Sequence, residues 1–152
     1  MNRTRNLFLS IVLAVGFAAA LHAQTKPNFT GAWKLNVAKS DADESLPQSL
    51  IVTVDHKDPV LTYTVKGSAS GQEINETATV RTDGTPTKGP NDITIVDHWD
   101  GPNLVLNGTA PDQSPIFEVH LSLSADGKTI SRVVIRNNGN QQQTRHEIYD
   151  KM

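Results

Sequence analysis

The chain is 152 residues long, contains no cysteine and carries a formal net charge of −2 at pH 7. Without cysteine, thiol catalysis, thiolate metal sites and disulfide staples are excluded, so stability must come from an apolar core. The mild negative balance, 14 basic against 16 acidic residues, argues against nucleic acid or an anionic membrane surface as partner, since both want a basic patch.

Arg3 and Arg5 open the chain, followed by an apolar run from Leu7 to Phe17 and the small residues Ala18, Ala19 and Ala20. A charged start, an apolar centre and a small-residue end read as a secretory signal helix, residues 1–23, cleaved after Ala23. The run is shorter than the ~20 residues a membrane anchor needs. The expectation is an exported protein, periplasmic or extracellular, with no membrane attachment after cleavage. Residues 24–152 then form one domain, large enough to bury a core without staples.

From Phe29 onward the sequence shows short apolar alternation broken by turn residues, which predicts strands. They run over residues 29–36, 50–56, 60–66, 74–81, 93–99, 104–109, 116–123, 129–136 and 144–151. Asp-Gly and Asn-Gly steps at Asp83, Asp100, Asp126 and Asn138 mark tight turns, because those residues tolerate positive φ. A single helical turn is expected near Asp41 to Ser45, capped by Ser40 or Asp41. About nine strands at such spacing predict an all-β sandwich or an antiparallel up-and-down β-barrel of about 8–10 strands, and consecutive short hairpins favour the barrel.

Period two assigns the inward faces. Trp33, Leu35, Leu50, Val52, Val54, Leu61, Tyr63, Val65, Ile74, Ala78 and Val80 share the apolar side. So do Ile93, Ile95, Trp99, Leu104, Leu106, Phe117, Val119, Leu121 and Leu123. In the last two strands the phase stays open, since Val133, Val134 and Ile135 are consecutive.

The segment Asn28 to Asp41, with Gly31-Ala32-Trp33 at its centre, resembles the opening of small bacterial exported lipocalin-like domain proteins. The resemblance extends to His98-Trp-Asp-Gly101, Leu121 to Ile130 and Ile148-Tyr-Asp-Lys151. It implies a calycin-type barrel. It also implies that Gly31 and Trp33 help close one end, with Arg132 or Arg145 as a cationic lid over the indole. Cation–π attraction would support such a lid.

Four polar groups fall on predicted inward registers: His56, Glu76, Asp97 and His146. Buried charge is costly unless paired, so these either pair, sit at a wet mouth or anchor a ligand. With Tyr63, Trp99 and Phe117 they form the candidate binding set. Metal binding is not expected, because the histidines lie on separate strands and adjacent residues point to opposite faces. No strained nucleophile turn and no phosphate-cradling loop is present, so neither a catalytic residue nor a cofactor is assigned. The leading expectation is a barrel that binds one small, largely apolar molecule. The alternatives are a structural or protein-interaction barrel with a filled core, and an enzyme using His56, Glu76, Asp97 and His146.

Overall fold

A computed structural model describes residues 26–42, 46–139 and 141–152. The expected signal helix and its cleavage site lie outside the described residues. The strands are β1 (Gly31–Leu35), β2 (Ser49–Lys57), β3 (Val60–Ala69), β4 (Gln72–Arg81), β5 (Thr87–Lys88), β6 (Thr94–Asp100), β7 (Asn103–Thr109), β8 (Pro115–Leu123), β9 (Thr129–Asn138) and β10 (Gln141–Lys151). The nine expected strands are present, and β5 is an addition inside the polar connection after β4.

All pairings are antiparallel, in the order β4-β3-β2-β1-β10-β9-β8-β7-β6-β5. Because β1 pairs with both β2 and β10, the meander curls into a barrel that is nearly closed. The two ends of the sheet, β4 and β5, share no hydrogen-bonded ladder among the described residues. A seam therefore runs down one side.

One end of the barrel is packed shut. Trp33, Phe29 and Leu104 are almost fully buried there, and burying each large apolar side chain is worth about 1.5–3 kcal/mol. Gly31 starts β1 with φ +147, and a Cβ there would stand 3.2 Å from Lys151 Cε. Its absence leaves room for Lys151 Nζ to lie over the Trp33 ring, 5.3 Å from the centroid. The cationic lid is thus Lys151. Arg132 and Arg145, the expected lids, point into the barrel instead.

The link between β1 and β2 differs from expectation. Its helical turn is a 3-10 turn at Val37–Lys39, capped by Asn36 through Lys39 N–H. Residues 43–45 lie outside the described set. On both sides of that turn the link runs along β10, where β1 has already ended: Asn36 N donates to Ile148 O and Asp41 N to His146 O. Asp41 Oδ2 also accepts from His146 N at 2.7 Å and contacts its Nδ1 at 2.9 Å.

Candidate functional site

β10 carries Arg145, Glu147 and Tyr149 on its inward face, which fixes the phase the sequence left open. His146 therefore points outward, with 57% of its side chain exposed, paired to Asp41. Its place in the binding set is corrected: strand alternation puts it on the wall opposite its neighbours. His56, Glu76, Asp97 and His146 accordingly share no common site, and joint catalysis by the four has no geometric basis.

The interior holds a cavity of about 510 Å³, lined mainly by apolar residues including Leu50, Val52, Leu61, Leu106, Val119 and Leu121. A second chamber of about 280 Å³ continues past Phe117 and Ile95 and shares Tyr63, Leu106, Val119 and Arg132 with the first. Phe117 sits there because its cross-strand partner is Gly108, where a Cβ would come within 2.2 Å of the ring.

Glu147 organises the polar wall. It is 1% exposed and accepts from Arg132 Nη1 at 2.7 Å, Arg145 Nε at 2.8 Å and Tyr149 Oη at 2.8 Å. Burial alone would raise its pKa, but Arg132, Tyr149 and Arg145 outweigh that and hold the carboxyl below its usual range. Burial and the neighbouring Glu147 charge push the Tyr149 phenol well above its ordinary value, so it stays a donor. Four residues along β9 from Arg132, Arg136 also lines the cavity and has no ion pair among the described residues. The cavity wall therefore carries three arginines against one paired carboxylate, Glu147, with Glu76 and Asp97 as its other acids.

Asp97 lies four strands away on β6, 1% exposed. Neither carboxyl oxygen has a hydrogen-bond partner among the described residues. Burial pushes its pKa up to about 7. Tyr63, between these two regions, is raised by burial first and then by the Asp97 charge. Glu76 lines the same cavity from β4 yet is exposed, because its strand borders the seam.

His56 and Trp99 belong to the closed end. Their rings stack with Phe29 at centroid separations of 6.0 and 6.1 Å and with each other at 5.9 Å. His56 Nδ1 accepts from Phe29 N at 3.4 Å, and burial lowers the ring's pKa. Asp58 accepts from Thr82 Oγ1 at 2.7 Å, Lys26 Nζ at 3.0 Å and Trp99 Nε1 at 3.2 Å, and those donors keep its pKa low. These groups pack and brace the base. Of the candidate binding set, the structure brings Tyr63, Glu76 and Asp97 to the main cavity and Phe117 to the second chamber.

Sequence reasoning missed Glu147 and Tyr149 as buried groups and Arg136, itself exposed, as a lining group of the cavity. The signal was the alternation Arg145-x-Glu147-x-Tyr149, which places a cation, an anion and a phenol on one strand face.

No family model matches the chain. A curated relative, a holo-[acyl-carrier-protein] synthase of Nocardia farcinica, is 30% identical over 82 residues, 51% of this chain and 57% of that protein. The chain thus spans just over half the length of that relative. Solved structures match at greater cover. The zebrafish ileal bile acid-binding protein complexed with cholic acid aligns at TM-score 0.54 and 11% identity, over 82% of this chain and 98% of that one. Secretory abundant heat soluble protein 4 of Ramazzottius varieornatus aligns at 0.55 and 14%, over 86% and 99%. A fatty acid-binding protein from Drosophila melanogaster brain aligns at 0.51 and 13%, over 81% and 99%. At these identities the likeness establishes the fold alone: an all-β, antiparallel, nearly closed barrel.

Proposed function

We propose that this protein is an exported carrier for one small, largely apolar molecule bearing an anionic group, held inside the barrel. The observation that carries the reading is the apolar cavity of about 510 Å³ with Arg132 and Arg136 in its wall. That volume is in the range of sites for small organic ligands. The apolar lining favours a hydrocarbon body. Arg136, which has no ion pair among the described residues, favours a carboxylate, sulfonate or similar head, because guanidinium groups bind planar anions with paired hydrogen bonds. The bile acid-binding and fatty acid-binding neighbours support this use of the fold.

Export rests on the charge and apolar profile of residues 1–23. The filled-core alternative loses its footing, since the interior has room for a ligand.

The test is native mass spectrometry of the protein purified from its exported fraction, followed by displacement of bound anilinonaphthalene sulfonate with a long-chain carboxylate and its neutral methyl ester. The carrier reading expects a retained small molecule or dye displacement with the free acid preferred. A barrel that retains nothing and takes up neither dye nor acid would overturn it.

A further inference from the structure

The seam beside Asp97 is built differently from the rest of the wall. After β4 the chain turns at Thr82, whose N–H donates to Pro59 O and whose hydroxyl donates to Asp58. It then runs back along β6 as a strap over residues 83–89. Gly84 N donates to Asp97 O at 2.9 Å, Thr87 and Lys88 pair with Ile95 and Thr94, and Gly89 N donates to Ile93 O. On its other side the strap has no ladder with β4 among the described residues. Asp97 thus holds the strap with its backbone. Its side chain lines the cavity beneath, with both oxygens sealed from solvent and without hydrogen-bond partners among the described residues.

We propose that this seam is a lateral entrance to the cavity and that the Asp97 carboxyl governs it: protonated, it lets the strap lie shut on β6, and deprotonated, it favours an open seam in which water reaches the carboxylate. The physical reason is that a buried carboxylate with no donor is strongly disfavoured, whereas the neutral acid tolerates the same place. Opening hydrates the charge at the cost of a few strap hydrogen bonds, a far smaller disruption than unfolding the barrel. The role as an entrance rests on the carrier reading above; the opening itself does not.

The charged groups around Asp97 do not supply the missing partner. β7 and β8 present Leu106 and Val119 to this part of the cavity, and β4 presents Val80 and, nearer the mouth, Glu76. β3 presents Tyr63. Arg132 on β9 and Arg145 on β10 are engaged with Glu147, and Arg136 on β9, in the wall of the same cavity, makes no hydrogen bond to either Asp97 oxygen. In the strap, Asp83 is held by Arg81 and by Thr85 N–H. His56 on β2, buried at the closed end, titrates with the opposite sign: gaining a proton there loosens the base as pH falls. The burial that pushes the Asp97 pKa up to about 7, from an ordinary 3.8, defines the window in which the seam responds.

Hydrogen-exchange mass spectrometry of the intact protein from pH 4.5 to 8, with rates corrected for intrinsic exchange, tests this without a ligand. In the wild type, protection of the amides at 83–89 and 94–98 is expected to fall as pH rises, by up to about tenfold per pH unit as far as pH 7, then level off above it. In Asp97→Asn it is expected to stay flat, while β9 and β10 behave alike in both proteins. Asp97→Leu, a second neutral variant, guards against a poorly folded first one. Equal pH dependence in wild type and variants, or loss spread evenly through β9 and β10, would overturn the seam. Release of pre-bound anilinonaphthalene sulfonate, followed by stopped flow, should accelerate over the same window in the wild type alone. Dye release independent of pH beside a confirmed seam opening would overturn the entrance. A barrel that never binds dye would overturn the carrier reading and the entrance with it, leaving the exchange data to decide the seam.

Discussion

Glu147 and Asp97 are equally buried carboxyls in the wall of one cavity, each 1% exposed, and their surroundings are opposite. Glu147 has two arginines and a tyrosine hydroxyl directed at it. Asp97 has no donor at all among the described residues. The first region stores its charge as structure and the second stores it as instability. The contrast shows that burial alone does not set the role of an acidic residue in this barrel; the donors within reach do.

The two regions should respond to pH with opposite slopes. Glu147 has a folded pKa below its unfolded value, so its contribution is present above the unfolded pKa and is lost as pH falls through the folded one. Asp97 has a folded pKa of about 7 against 3.8. The unfolded chain therefore releases that proton first, and the penalty grows from about pH 4 to pH 7, then stays constant.

Breaking the paired region should have the largest effect. Glu147→Gln leaves Arg132 and Arg145 without their shared carboxylate and should cost about 3–5 kcal/mol, read by urea unfolding at pH 7. A loss below about 1 kcal/mol would show that the network is not the anchor of that wall. The unpaired region should respond in reverse. Asp97→Asn should stabilise the protein by about 1–3 kcal/mol at pH 7.5, below a ceiling of about 4 kcal/mol set by the rise of the carboxyl from 3.8 to about 7, because the amide still lacks partners. The gain should vanish by pH 4; a gain independent of pH would refute the assignment of the penalty to ionisation.

A smaller change probes the apolar wall between them. Gly108→Ala places a Cβ against the Phe117 ring, so the ring must move. Overpacking of this kind costs about 1–3 kcal/mol, and dye affinity should change with it. Unaltered melting and unaltered dye binding would mean that the second chamber yields freely. His146→Ala should matter least. Its exposed pair with Asp41 is worth less than about 1 kcal/mol, and dye binding should not change, in contrast to any substitution at Arg132 or Arg136.

Much of the barrel was legible in residue order. The inward faces of β2, β3, β7 and β8 followed from simple alternation, because each strand has a clean apolar side. β5 was not legible: Thr87 and Lys88 form a strand because β6 offers an edge, and nothing in Thr-Lys itself demands one. β9 and β10 were ambiguous for a related reason. Val133, Val134 and Ile135 are apolar on both faces, while β10 puts Arg145 and Glu147 inside, where hydropathy predicts the outside.

Local sequence determined the strands, the turns and the absence of any thiol chemistry, because those depend on side-chain alternation and on residues that tolerate positive φ. The candidate site depended on tertiary structure. Whether Glu147 meets three donors and Asp97 meets none is decided by which strands end up adjacent. The same curling of the sheet opens the cavity and leaves the seam beside Asp97, and no single strand carries that information.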